Sequence, residues 1–315
     1  MVLVTPTIDT FVSNVHTLSA QGSLAKVAEL SLTALRDVLP KHQDALDDLL
    51  TSRFEVDKHT IAIIAVLNVK VKSALASDNH QQIDTVISQL EVAVEQMDPQ
   101  LIPYLLDIYT DTFKRISDHF LLKRREPEKP ICLLLRAVHR GAKAGQLTSL
   151  HAHLLKLCLK ARKFDVALHL LDRNVQDVAK ETSKEGYLES ADFLCYFYYG
   201  GMVYAAVKNF DRALFFFEVA LTTPAVVYSQ IMVEAMKKYC LVSLILHGKV
   251  LPLPAYKAAV VPRMAKGMCS AYVELGDTYQ QSSRTAEGLK RFVERNEATF
   301  LAARLLIIEF PNLKF

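Results

Sequence analysis

Apolar residues recur at helical spacing along nearly the whole chain, and this periodicity constrains the fold more than any other feature. Between Leu24 and Leu39, for example, they follow the i, i+3, i+4, i+7 pattern of a buried helix face. Alternating patterns typical of strands are scarce. The sequence therefore predicts an all-α protein.

Six prolines lie at or near predicted helix ends, as expected for a residue that cannot donate an internal helix hydrogen bond: Pro40, Pro99, Pro127, Pro224, Pro252 and Pro254. The segment 61–71 is rich in β-branched residues, which makes a strand the main alternative there. A helix is favoured because the apolar spacing continues through Leu75. The predicted helices are 10–20, 24–38, 43–51, 57–76, 80–96, 100–122, 128–143, 148–161, 164–171, 174–182, 188–207, 210–221, 225–246, 252–259, 263–280 and 285–308.

Two segments 46 residues apart, 161–168 and 207–214, share a pattern of a tight turn followed by a second helix. Around the second copy the spacing fits tetratricopeptide repeats. Small residues would let the two helices approach closely, while Tyr204 and Phe217 would fill the space between one pair and the next. The predicted packing residues are Gly200, Gly201, Tyr204, Phe210, Ala213, Phe217 and Ala220.

Paired helices of this kind bury their faces only against neighbouring pairs, so they stack into an array. A weaker third copy covers 126–138. At 315 residues the chain is at the size where one compact core usually stops growing, which a repeat array also satisfies. The sequence thus predicts a right-handed α-α superhelix of tetratricopeptide-like helical pairs that serves as a platform for protein partners.

Charge and cysteine content indicate which partners and which cellular compartment are expected. The formal net charge of +3 is spread along the chain, which disfavours nucleic-acid and membrane binding. The longest apolar run, 61–67, is shorter than a membrane span, and the N-terminus lacks a secretory signal pattern. Five cysteines lie far apart in apolar helical stretches, where we expect them to be small buried residues. We therefore expect a reducing compartment, the cytoplasm or nucleus.

Three polar groups could carry chemistry. His151, His153 and Asp165 resemble a zinc hydrolase motif, but positions i and i+2 of a helix point about 200° apart and cannot share one metal. One exposed and one partly buried histidine are expected instead. The acidic trio Asp44, Asp47 and Asp48 is interpreted as an exposed helix face. The charged run 123–129 suits either a solvated inter-helix turn, which we favour, or a phosphate or partner contact.

Gly200 and Gly201 lack the preceding strand that a nucleotide-binding loop requires, and the aromatic run 196–199 lacks the basic residues of a nucleic-acid surface. Packing roles are therefore favoured for both. The sequence predicts no catalytic residue, no cofactor and no bound metal, and hence a protein that is not an enzyme.

The run Phe193–Tyr204 is more specific than the repeat spacing. Together with 209–214, 220–225 and 237–246, it resembles the family of the third subunit of the COP-nine signalosome. Earlier segments belong to the same resemblance, which extends over about residues 10–300: they are 11–15, 18–22 and 146–149 with His151.

This resemblance implies a helical-repeat arm, residues 1–185, leading into the helical part of a PCI domain, residues 186–315. Family members continue into a winged-helix subdomain, which we expect this chain to lack. The resemblance also implies a structural subunit, whose partners are the other signalosome subunits and, indirectly, cullin-RING ubiquitin ligases. In that complex another subunit removes a ubiquitin-like modifier from cullins. A PCI subunit of the proteasome lid or of a translation initiation factor is the alternative.

Overall fold

The computed structural model describes residues 7–143, 145–173, 175–178, 188–281 and 286–304, without the side chains of residues 286 and 302–304. The chain divides into two compact units. The first unit comprises the chain up to Lys163 together with Asp172–Glu189. The second comprises Phe164–Leu171 and the chain from Ser190 onward. The chain thus contributes one short helix to the second unit before it returns to the first.

The first unit is built from antiparallel helices joined by short turns. Its helices are α1 (Ile8–Ala20), α2 (Leu24–Asp37), α3 (Leu46–Asp48), α4 (Thr60–Ser77), α5 (His80–Gln96), α6 (Leu106–His119), α7 (Ile131–Gly141) and α8 (Ser149–Ala161). Turns of π-helix, Leu49–Arg53 and Phe120–Arg124, extend α3 and α6. Short 3-10 turns cover Leu39–Lys41, Gln43–Ala45 and Ile102–Leu105.

Helix α4 forms the centre of the first unit, where it packs on α2, α5 and α6. Every residue from Thr60 to Val69 is buried. The prediction of a helix over the β-rich segment 61–71 is therefore confirmed. By length and composition alone α4 could cross a membrane, but 67% of it is buried within the protein, as in the core helix of a packed domain.

Alternate helices lie side by side in the first unit. Helix α6 packs between α4 and α8, and α5 packs on α7. Buried Asn68 on α4 donates to the hydroxyl of Thr112 on α6 at 2.9 Å. Arg136 on α7 forms an ion pair of 2.8 Å with Glu95 on α5. This is the arrangement of stacked helical pairs, so the predicted all-α repeat fold is confirmed.

A two-residue parallel ladder interrupts the helices of the first unit. It pairs β1 (Gln146–Leu147) with β2 (Asp177–Val178), and the N–H of Gln176 donates to the carbonyl of Gly145 at 2.8 Å. The predicted helix 174–182 is therefore wrong for its described residues, 175–178. Hydrogen bonds to a segment about 30 residues away satisfy this backbone in an extended conformation, which overrides the local helical pattern.

The second unit consists of the remaining helices. They are α9 (Phe164–Leu171), α10 (Ser190–Ala206), α11 (Phe210–Thr222), α12 (Gln230–His247), α13 (Val261–Met268), α14 (Ser270–Gln281), α15 (Ala286–Arg295) and α16 (Glu297–Arg304). Helix α11 packs between α10 and α12, and α10 also packs on α9. Helix α12 continues the core towards α13 and α14.

The predicted helix 252–259 is wrong, because this segment forms turns and extended backbone. Pro252 and Pro254 remove two helix donors close together, and the N–H of Ala258 instead meets the carbonyl of Leu221 at 3.4 Å. The predicted helix 263–280 is split into α13 and α14 at Cys269. The predicted domain boundary at residues 185 and 186, and residues 305–308 of the last predicted helix, lie outside the described residues.

Candidate functional site

The residues predicted to pack the repeat lie on two adjacent helices of the second unit. Helix α10 carries Gly200, Gly201 and Tyr204, and α11 carries Phe210, Ala213, Phe217 and Ala220. All are buried except Phe210, which is half-buried at the start of α11. The structure therefore places the sequence-predicted residues on two helices that pack against each other.

Gly201 is a point of close approach between these helices. A Cβ atom placed there would lie 2.6 Å from Cε1 of Phe217, so the aromatic ring rests directly on the glycine backbone. Ala213 and Ala220 are fully buried on the same helix as Phe217. Phe217 thus packs within its own helical pair, whereas the sequence predicted packing between one pair and the next.

Gly200 makes a second close contact, which involves a residue that sequence reasoning missed. A Cβ atom at Gly200 would lie 2.6 Å from Cε1 of Phe216 and 2.9 Å from a methyl carbon of Leu171 on α9. The Tyr204 ring meets Phe216 edge to face at 5.1 Å, so Tyr204 also packs within the pair. The run Phe215-Phe216-Phe217 could have indicated this contact from the sequence. On a helix, two neighbouring rings of the run can face two neighbouring glycines.

The repeated turns have the same backbone geometry. Arg162 follows α8 and Lys208 follows α10, and these equivalent positions have φ values of 56° and 63°. This left-handed conformation ends a helix by directing the chain back. At the second turn, the side chain of Asn209 then accepts the N–H of Arg212 at 3.3 Å to begin α11. The predicted tight turns are confirmed.

The His151, His153 and Asp165 group does not form a shared site. His151 and His153 lie on α8, and Asp165 lies on α9 of the other unit. The N–H of Thr148 donates to Nδ1 of His151 at 3.1 Å, which caps the start of α8. Burial lowers the pKa of His151 to about 4. His151 is half-buried and His153 is only 7% exposed, so the expectation of one exposed histidine is wrong.

Within the described part of the chain, no three His, Cys, Asp or Glu side chains are placed to hold a metal ion. The acidic trio is exposed, but two of its members are paired. Asp47 accepts from Lys70 and from Gln89, the second at 3.0 Å, and the hydrogen bond from Lys70 lowers its pKa. Asp48 accepts from Nε of Arg53 at 2.8 Å. These carboxylates tie the segment after α2 to its neighbours.

The charged run 123–129 lies in the turn between α6 and α7, as favoured from the sequence. Part of this run is less exposed to solvent than the sequence predicted. The guanidinium of Arg124 forms a 2.7 Å ion pair with Asp84 on α5, and its side chain is only 5% exposed. Arg125 follows in the left-handed conformation, with φ of 57°, and turns the chain toward α7.

A buried polar group on α12 was not predicted. Glu234 and Lys237 form a 2.7 Å ion pair that is largely shielded from solvent. Lys238 is 3% exposed, and its Nζ has no hydrogen-bond partner among the described residues. Burial lowers its pKa to about 8. Both i+3 and i+4 spacings bring helical side chains together, and Glu234 pairs with Lys237 rather than with Lys238.

The five cysteines differ in their burial. Cys158, Cys240 and Cys269 are buried, whereas Cys132 is exposed and Cys195 is half-buried, so the expectation of five buried cysteines is wrong for two of them. Burial raises the pKa of Cys240 to about 12 and that of Cys269 to about 11. These two thiols therefore remain protonated and unreactive at neutral pH.

Comparison with known proteins gives a consistent result. A family profile described as COP9 signalosome complex subunit 3, N-terminal helical repeats, matches residues 21–261. A COP9 signalosome complex subunit 3 from Drosophila melanogaster is 34% identical over 289 residues, which is 88% of this chain and 64% of the relative.

A protein of the same name from Dictyostelium discoideum is 27% identical over 260 residues, which cover 80% of this chain and 59% of the relative. The chain thus spans about three-fifths of the length of these curated relatives.

Proposed function

Because the chain belongs to the family of COP9 signalosome complex subunit 3, we propose that it is a non-catalytic scaffold subunit of that complex. The observation that carries this proposal is the family match over residues 21–261, which includes the glycine and aromatic residues of α10 and α11. In this role the chain holds other signalosome subunits in place, and so supports the removal of a ubiquitin-like modifier from cullins by a different subunit.

The roles of the polar candidates support a scaffold. His151 caps α8, Asp47 binds Lys70 and Gln89, and the buried thiols of Cys240 and Cys269 stay protonated. Each of these groups serves the packing of helices. Stacked helical pairs present long surfaces to partners, which suits a protein that acts by binding other proteins.

We also propose the domain organisation, partners and location that the resemblance to this family implies. Residues 186–315 form the helical part of a PCI domain that follows a repeat arm of residues 1–185. The partners are the other signalosome subunits and, through them, cullin-RING ubiquitin ligases, in the cytoplasm and nucleus. The low net charge of +3 disfavours nucleic acid and a membrane as partners.

Affinity purification of the tagged chain from cells, followed by mass spectrometry, tests this function. The expected result is recovery of the other signalosome subunits. Recovery of proteasome-lid or translation-initiation subunits would favour the alternative PCI assemblies, and recovery of none would contradict the proposal. A Gly201→Leu chain, in which the α10–α11 interface is disrupted, should lose these partners, whereas a Gly267→Ala chain should keep them because that glycine faces open space.

A further inference from the structure

The C-terminal ends of α4, α6 and α8 lie along one edge of the first unit. Nζ of Lys123, after α6, lies 3.7 Å from Oδ1 of Asp78, after α4. Nζ of Lys156 on α8 lies 3.1 Å from Oδ1 of Asp118 on α6. Arg125 follows Asp118 by seven residues, and Lys163 follows Lys156 by seven residues, so each cation lies in the turn after its helix. The Lys156–Asp118 ion pair joins the C-terminal halves of α6 and α8, so the turns that follow the two helices lie at the same edge of the first unit.

These two turns concentrate positive charge. Their segments, 123–129 and 160–165, contain seven cations and three carboxylates, a surplus of four positive charges. The formal net charge of the whole chain is only +3. The rest of the sequence therefore carries a slightly negative net charge, and the local excess of positive charge at these turns is larger than the net charge of the whole chain.

Several of the cations have no counter-ion among the residues that the structure describes. Arg124 binds Asp84, and Lys129 binds Glu126 at 2.7 Å. The exposed side chains of Arg125, Lys160, Arg162 and Lys163 form no ion pair with any described residue. We call these four residues the basic edge. Leu122, which is 69% exposed, precedes the cations of the first turn.

Helix dipoles explain only part of this arrangement. A cation near a helix C-terminus contributes roughly 0.3–1 kcal/mol, and the effect falls off within one turn. One cation for each helix would satisfy that preference, and Lys123 and Lys160 already supply it. Helix capping does not account for Arg125, Arg162 and Lys163, nor for the exposure of Leu122.

We propose that the basic edge, together with Leu122, binds an acidic segment of a partner protein that carries an apolar side chain. Carboxylates of the segment would pair with the guanidinium and ammonium groups, and its apolar residue would cover Leu122. A protein segment is favoured over a nucleic acid, because none of the residues in these two turns is an exposed aromatic on which bases could stack. This inference goes beyond the proposed scaffold role and does not depend on the signalosome.

Fluorescence anisotropy of the full chain with a labelled peptide of glutamates and leucines tests the proposal. We expect binding that weakens as salt rises, since surface charges are screened. Arg125→Glu, Arg162→Glu and Lys163→Glu together should weaken binding about tenfold or more. Leu122→Ser should weaken it about threefold without altering the dependence on salt.

The matched control reverses three exposed cations of the same unit that are far along the chain, Lys26→Glu, Arg36→Glu and Lys41→Glu. It makes the same change in net charge and should leave affinity within twofold. Circular dichroism shows whether each variant is folded. Equal weakening by both triple variants, unchanged binding by the basic-edge variant, or no binding of the peptide would overturn the proposal. Tighter binding of an oligonucleotide or of inorganic polyphosphate than of the peptide would overturn it as well.

Discussion

His151 shows how one buried side chain makes the stability of this fold depend on pH. It accepts the N–H of Thr148 at the start of α8, and burial lowers its pKa to about 4. In the unfolded chain its pKa is about 6.5. Between these values the unfolded chain binds more protons than the folded one, so the free energy of unfolding falls as pH falls from about 6.5 to 4. Burial also lowers the pKa of His59, His119 and His139. These histidines therefore also reduce the free energy of unfolding as pH falls.

We predict that His151→Gln reduces this pH dependence. Glutamine retains an acceptor for the capping hydrogen bond but does not take up a proton. Between pH 7 and pH 5 the loss in the free energy of unfolding should be smaller than in the wild type by about 1–2 kcal/mol. Urea unfolding at both pH values measures it. His169→Gln, at an exposed position on α9, should leave the wild-type dependence unchanged. Identical pH dependence in both variants and the wild type would contradict the prediction.

Lys238 is a second residue whose charge opposes folding. Its Nζ is buried without a hydrogen-bond partner among the described residues, and its pKa is lowered to about 8. The unfolded chain, with a lysine pKa of about 10.4, binds more protons above pH 8. The free energy of unfolding should therefore rise with pH from about 8 to 10 through this group.

We predict that Lys238→Met stabilises the protein at pH 7 by about 1–3 kcal/mol, because an apolar side chain removes the cost of burying an unpaired amine. The rise in stability between pH 8 and 10 should also become smaller. Chemical unfolding of the variant and the wild type across this range measures both effects. The neighbouring Lys237→Met is the control and should destabilise, since it leaves the buried carboxylate of Glu234 without its ion pair. A lower melting temperature for Lys238→Met at pH 7 would show that its amine is stabilised.

At the scale of single elements, the α10–α11 pair depends on the absence of a side chain at Gly201. A Cβ atom there would lie 2.6 Å from the Phe217 ring, too close for any real contact. Gly267, on α13, has no atom within 4 Å of the equivalent position. Replacing each of these helical glycines by alanine therefore makes the same change at a tightly packed position, Gly201, and at an open position, Gly267.

We predict that Gly201→Ala destabilises the protein, and that Gly201→Leu does so more strongly, by about 1–3 kcal/mol or more, because overpacking separates the helices. Gly267→Ala should stabilise it by about 0.5–1 kcal/mol, since alanine is the better helix former. Thermal unfolding followed by circular dichroism measures all three. An unchanged melting temperature for Gly201→Leu would show that this interface does not limit stability.

The same pair of helices shows how far the sequence predicts structure. Spacing alone locates α10, the tight turn and α11, because a regular 3.6-residue period is a local property. It does not decide that Phe216 meets Gly200 while Phe217 meets Gly201, since the rotation of each helix depends on packing with its neighbours.

The sequence-based predictions fail where contacts with distant residues determine the backbone conformation or the burial of a side chain. Residues 175–178 have a helical pattern but pair with Gly145–Leu147, and segment 252–259 rests on the end of α11. The burial of Lys238 is likewise invisible in its own helix, because its surroundings come from elements elsewhere in the chain. Local periodicity does not contain this information.

At the scale of the whole molecule, each unit has its own buried core. In the first unit this core surrounds α4, whose residues 60–69 are all buried. In the second it surrounds α11 and α12, with Phe217, Ala220 and Cys240 fully buried. Units with separate cores commonly open as separate cooperative segments. We therefore expect damage to one core to remain in its own unit.

Two crossed variants test this independence by hydrogen exchange with mass spectrometry. Gly201→Leu should increase exchange in α10, α11 and α12 while peptides from α4 and α6 stay protected. Gly141→Leu should do the reverse, because a side chain at the end of α7 would lie 2.8 Å from the buried ring of Tyr109 in the first unit. Loss of protection in both units for either variant would show that the chain unfolds as one cooperative body. Separate responses would mean that the second unit can open while the first remains folded, including the edge formed by the turns after α6 and α8.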